Sequence, residues 1–196
     1  MATRDQGPTG AQALRALAHP TRWRLLDVLE AESSATATRC AQLIGESVAS
    51  CAYHLGILGK YGYAEQAPPS QGRERPWRLV SYRQDLRPQG LDVEGQLAAE
   101  AATEAFLDHE INRFKTRLRE AETQPPQWRP WFQGRSVTLT EAEYARIKQR
   151  VEEVVEQELG QYADRGTAVA RPVGSRLVRL FVAASARPHG GGGDGD

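Results

Sequence analysis

Between residues 36 and 63 the chain ends one helix and begins another within three residues, and this narrows its possible folds more than any other feature. Thr36 is an N-cap residue whose hydroxyl accepts from an orphan backbone N–H, and Cys40, Leu43 and Ile44 then fall at i, i+3 and i+4 on one apolar stripe. Gly45 can take the positive φ that terminates a helix, and Ser47 caps the next one. From there Cys51, Leu55 and Leu58 repeat at helical spacing and face inward, while Ala49, Ser50 and Tyr53 lie on the other side. The outward face is small and neutral. Gly62 closes the second helix, and Tyr63 to Gln66 begins an extended segment. Residues 68–76, rich in Pro and carrying Arg73 and Arg75, turn the chain back into the extended Trp77 to Ser81.

The upstream segment fits the same scheme. Pro8 and Thr9 cap a helix bearing Leu14, Leu17 and Ala18, and His19-Pro20 restarts the chain with Pro at the first helical position, where its missing N–H does no harm. The next helix sets Trp23, Leu25, Leu26, Val28 and Leu29 mostly on one side. These helices and the hairpin can share a core, with the two helices of residues 36–62 forming a helix-turn-helix and the hairpin a wing.

Residues 14–29 (LRALAHPTRWRLLDVL), 41–45 (AQLIG) and 47–58 (SVASCAYHLGIL) together resemble the ArsR-type winged helix-turn-helix transcriptional regulators. The resemblance covers about residues 9 to 83, under half of the chain. It implies a dimeric DNA-binding protein with residues 47–60 as the recognition helix, of a kind that usually represses and releases DNA when an effector binds. The family's metal sensors carry a Cys-x-Cys pair or Asp/His/Glu ligands on a late helix. In this chain Cys40 and Cys51 sit singly on two helices, His54 is the only further ligand near them, and a tetrahedral zinc site is incomplete. Asp108, His109 and Glu110 point about 100° apart around a helix and do not converge on one ion. No metal and no cofactor is expected.

Groove chemistry assigns the remaining roles. A recognition helix enters the major groove N-terminus first, so Ser47, Val48, Ala49, Ser50 and Tyr53 are the candidates for base edges and adjacent phosphates. With no Arg, Asn or Gln on this face, bidentate base recognition is absent, and discrimination would lean on DNA shape or on the wing. His54 lies on the flank between the buried row and the surface, as a structural histidine or a DNA contact. Arg39, Lys60, Arg73, Arg75 and Arg78 supply a candidate basic footprint. Formal net charge is zero, but residues 1–90 carry +3 and residues 91–196 carry −3.

Beyond residue 90 the expectations are architectural. Leu97, Ala101, Ala105, Leu107, Ile111, Phe114 and Leu118 mark a long helix, and the 4-3-4 spacing of Leu107, Ile111, Phe114 and Leu118 is that of a helix-pair seam, either a dimer interface or packing within the chain. Trp128, Trp131 and Phe132, in a Pro-rich connector, are candidates to wall a pocket for an apolar small-molecule effector or to plug a core. Thr140-x-x-Glu143 is a capping box opening a second long helix, and Ser136 to Leu139 and Arg176 to Ala184 are strand candidates that would pair with each other. The expected fold is therefore mainly α (α+β). Residues 1–8 are a flexible N-terminus and 9–90 a winged helix-turn-helix domain with a two-stranded wing. Residues 91–186 form a helical dimerisation and effector region with a small C-terminal sheet, and 187–196 are a flexible Gly-rich tail.

Several classes are set aside by composition. No stretch approaches the roughly 20 apolar residues of a membrane span, Met1-Ala-Thr-Arg-Asp lacks a signal-peptide core, and two cysteines make no disulfide framework, so a cytoplasmic location is expected. Three Lys against an abundance of Arg, Ala and Gly point to a GC-rich bacterial gene. The four His are scattered and no phosphate loop or nucleophile motif appears, so no enzyme is expected. The expected partners are double-stranded DNA, a second copy and a small-molecule effector. The alternative is a winged helix used for protein contact without DNA binding.

Overall fold

The computed structural model describes residues 10–68, 75–80, 86, 90–162 and 172–187. Its elements run α1 (Ala11–Leu17), α2 (Pro20–Glu32), α3 (Ala37–Ile44), α4 (Val48–Lys60), β1 (Ala64–Gln66), β2 (Trp77–Leu79), α5 (Val93–Arg119) and α6 (Glu141–Gly160). Two short 3-10 turns, Ala121–Thr123 and Pro126–Trp128, lie between α5 and α6. The fold is mostly helical with a small two-stranded antiparallel sheet. Among the described residues no helix is long and apolar enough to cross a membrane.

Local chemistry sets the helix starts. Pro20 occupies the first turn of α2, and His19 Nδ1 accepts from the Thr21 amide at 3.2 Å. Thr36 Oγ accepts from the Arg39 amide and Ser47 Oγ from the Ser50 amide, both at 3.1 Å, while Gly45 ends α3 at φ 70°. Leu14, Leu17, Trp23, Leu25, Leu26, Leu29, Cys40, Cys51, Leu55, Leu58 and Tyr63 are all but completely buried in one cluster. Each such aliphatic or aromatic side chain contributes about 1.5–3 kcal/mol relative to exposure. Leu43 does not join them: α3 is turned so that Ala41 lies inward beside Cys40 and Ile44, and Leu43 is exposed.

Three consecutive side chains of α2 close the ends of neighbouring helices. Arg22 Nη1 donates to Ala16 O at 2.7 Å, Trp23 Nε1 to Leu17 O at 2.7 Å, and Arg24 to Ile44 O. The orphan carbonyls at the C-termini of α1 and α3 thus find donors on α2. The hairpin pairs Ala64 with Leu79, Glu65 with Arg78 and Gln66 with Trp77. Ala35, just ahead of α3, bridges to Trp77 through backbone bonds of 2.9 and 2.8 Å and ties the hairpin to the helices.

The C-terminal half departs from expectation in two ways. Ala98, Ala99 and Ala102 of α5 are buried in the same cluster as α1 and α2, and Arg15 of α1 pairs with Glu94 at 2.6 Å. The first half of α5 thus completes the N-terminal core, and residue 91 is not a structural boundary. The proposed C-terminal sheet does not form: residues 136–139 and 176–184 belong to no strand and have no ladder between them. The second segment lies instead along α5. Phe181 meets Phe106 edge-on at 5.9 Å, and Arg179 donates to buried Glu110 from Nε at 3.0 Å and Nη2 at 2.7 Å. A buried carboxylate needs a cation more than β-prone residues need a ladder.

Candidate nucleic-acid interface

The turn between α3 and α4 is three residues long, and it delivers the N-terminus of α4 to the surface with no acidic residue in its first turn. Ser47, Val48 and Ala49 are exposed there, and Ser50 is half-buried, its amide donating to Ser47 Oγ. A helix N-terminus of this kind carries partial positive charge and free N–H groups suited to an anion. Further along, Ala49, Ala52, Tyr53, Gly56 and Lys60 form one exposed strip, with Tyr53 65% exposed at its centre. Ala52 and Gly56, which are not among the candidates given by the sequence analysis, belong to this face. Their periodicity with Ala49 and Tyr53 was the available signal. Nothing lies within 4 Å of where a Gly56 Cβ would stand.

His54 is not on that strip. It is only 8% exposed, its Nδ1 accepts from Arg22 Nε at 3.3 Å, and its ring lies 4.5 Å from that of His19. Burial, with His19 and Arg22 close by, holds its pKa below the ordinary histidine value, so the neutral ring accepts from Arg22. The candidate DNA contact is corrected to a buried platform, with the Tyr53 ring edge-on to it at 5.2 Å.

The basic residues divide. Arg39 is committed to Glu32 through bonds of 2.9 and 2.6 Å, and Arg78 to its cross-strand neighbour Glu65 at 2.5 Å. Lys60 sits over the Tyr61 ring at 5.1 Å on the strip itself, and Arg75 is exposed at the base of the hairpin tip. Arg73 lies outside the described residues. The footprint around α4 therefore narrows to Lys60 and Arg75 among the described cations that the sequence singled out. The hairpin is seated on α4 through a close approach: a Cβ at Gly59 would stand 2.5 Å from the Trp77 ring, so only glycine admits that indole.

The thiols lie inside. Cys40 and Cys51 are fully buried and free, and burial pushes Cys40 up to about 11 and Cys51 upward as well, so both are neutral core side chains at neutral pH. Among the described residues no group of three or more His, Cys, Asp or Glu is placed to hold a metal ion. His109 and Glu110 turn to different partners, His109 Nε2 to Asp27 at 2.9 Å and Glu110 to Arg179.

The predicted seam residues Leu107, Ile111, Phe114 and Leu118 are all exposed, each between 37% and 44%. The three connector aromatics do not enclose a space. Trp131 and Phe132 are 74% and 77% exposed, and Trp128 is covered on one side by Arg176 at 5.2 Å. The two alternatives read from the sequence, a pocket wall and a core plug, both give way to an open aromatic surface, because the connector runs outside the core. No family model and no curated protein matches the chain.

Proposed function

We propose that this chain is a sequence-specific DNA-binding transcriptional regulator of the winged helix-turn-helix type, acting as a dimer and most simply as a repressor. The observation that carries the reading is the α4 strip of Ala49, Ala52, Tyr53, Gly56 and Lys60. It is narrow, unencumbered and led by an acid-free helix N-terminus projecting from a rigid core. Small side chains let the helix backbone approach base edges, Tyr53 and Val48 offer apolar contact to thymine methyl groups, and Ser47, Ser50 and the first-turn amides suit phosphates. The hairpin beside α4, with exposed Arg75 just ahead of its second strand, acts as the wing on the backbone or in the minor groove. The α5 stripe of Leu107, Ile111, Phe114 and Leu118 joins two copies, which a reader of paired half-sites requires.

Selection of bound sequences from random DNA tests this directly. A two-fold-related consensus is expected, and Ser50→Ala with Tyr53→Ala abolishes the preference while leaving a folded protein. Affinity falls steeply with salt, and Arg73→Ala with Arg75→Ala makes that dependence shallower. No enrichment over input, or affinity unmoved by salt, rejects the reading. One observation favours a second one, a winged helix used for protein contact: Arg39 and Arg78 are each neutralised by a carboxylate on the same surface.

A further inference from the structure

The α5 helix is apolar on two opposite sides. Ala102 faces the core, and Ile111, nine residues on, points about 180° away at 100° per residue and is exposed. On that outer side Leu107, Ile111, Phe114 and Leu118 are spaced 4, 3, 4, which is the same in both chain directions. Phe132 of the connector, edge-on to Phe114 at 6.1 Å, widens the patch. A stripe that is its own mirror in sequence fits an antiparallel copy of itself, with the two-fold axis between Asn112 and Arg113. Leu107 then meets the partner's Leu118, and Ile111 meets the partner's Phe114.

Charge selects the same arrangement. From Val93 to Glu110 α5 carries Glu94, Glu100, Glu104, Asp108 and Glu110 and no Lys or Arg; from Ile111 to Arg119 it carries Arg113, Lys115, Arg117 and Arg119 and no acid. Over the span that overlaps about that axis, residues 106–119, a parallel pair would set the acidic Asp108 end of one copy beside that of the other, whereas an antiparallel pair sets it against the partner's basic end, which carries Lys115 and Arg117. Asp108 and Lys115 are seven residues apart, two turns along one flank of the stripe, and both are exposed. Antiparallel pairing turns that flank of each copy against the same flank of the other, so each Asp108 faces the partner's Lys115. On the opposite flank Glu110 is already held by Arg179 and Arg117 by Glu120 at 3.1 Å, leaving no uncompensated charge there.

We propose that a second copy of this chain covers the outer stripe of α5 as an antiparallel helix pair, held in register by two reciprocal Asp108–Lys115 pairs. The proposal rests on the dimeric reading above and fixes its geometry. Its test is a charge swap read by sedimentation equilibrium on the full chain. Asp108→Lys alone sets Lys against Lys twice, and Lys115→Asp alone sets Asp against Asp twice. Each variant is expected to lose about tenfold or more in self-association. An equimolar mixture forms the heterodimer, in which both pairs are restored, and a chain carrying both substitutions self-associates like the parent, which also shows that the exchanged charges are compatible with folding. If the parent is a dimer but the mixture stays as weak as the separate variants, the register is overturned while the dimer stands. A parent that sediments as a monomer at every concentration overturns both.

Discussion

The two halves of this molecule use apolar residues in opposite ways. Through α1, α2, α3, α4 and the first half of α5, most large side chains point inward into one core, with Leu43, Val48, Val93 and Leu97 the exposed exceptions beside Tyr53. In α6 no residue is buried, and Ile147, Val151, Val154 and Leu159 are all exposed; the segment 176–184 likewise exposes Leu177, Val178 and Val182. An isolated 20-residue helix with no packed face is marginal in water. The difference teaches that the first half is held by a core of its own, whereas among the described residues α6 and the segment 176–184 leave most of their apolar side chains uncovered.

Substitution in the core is the sharpest way to break that contrast. Leu55→Ala is expected to lower the unfolding free energy by about 2–5 kcal/mol, whereas Val151→Ala at high dilution changes it by less than about 0.5 kcal/mol. Urea denaturation followed by circular dichroism measures both, and equal effects would mean that α6 packs within the monomer after all. Next in size is Gly59→Ala. The new methyl group collides with the Trp77 ring, and the strain of about 1–3 kcal/mol outweighs the roughly 1 kcal/mol that alanine adds to a helix interior. Thermal melts check this: a lowered midpoint that recovers in combination with Trp77→Leu is expected, and a raised midpoint would remove the close approach as the seat of the hairpin.

The smallest effect is a dependence on pH. The folded-state pKa of His54 is depressed by burial, so below the ordinary histidine value near 6.5 the unfolded chain binds a proton that the native ring resists. The stabilisation is present above about pH 6.5 and is lost as pH falls through the depressed value. His54→Gln, whose side-chain oxygen can still accept from Arg22, should flatten this part of the profile when unfolding is measured between pH 7.5 and the acid side. An unchanged slope would place the titrating group elsewhere.

What the sequence made legible was local. Pro20, Thr36, Gly45, Ser47 and the Thr140–Glu143 capping box act within a few residues of themselves, and each stands where spacing put it. What it hid was decided at long range. The strand propensity of residues 176–184 yielded to the demand of Glu110 for Arg179, 69 residues away. His54 took the inner flank because Arg22 and His19, on another element, solvated it there. The Gly59–Trp77 approach joins α4 to β2 with no pattern in either segment announcing it. On the candidate interface, the periodicity of Ala49 and Tyr53 was readable, whereas the neutralisation of Arg39 by Glu32 and of Arg78 by Glu65 required the packed surface.

The Glu110–Arg179 pair has a consequence for how the molecule is made. During synthesis Glu110 emerges 69 residues ahead of its guanidinium, a delay of about 3–14 seconds at roughly 5–20 residues per second. The helices of the first half have time to assemble while that carboxylate is still hydrated. Its burial then awaits translation of the segment that carries Arg179, so α5 is sealed well after the helices of the first half have formed, and a ribosome that stopped before residue 179 would release a core with an open, acidic seam.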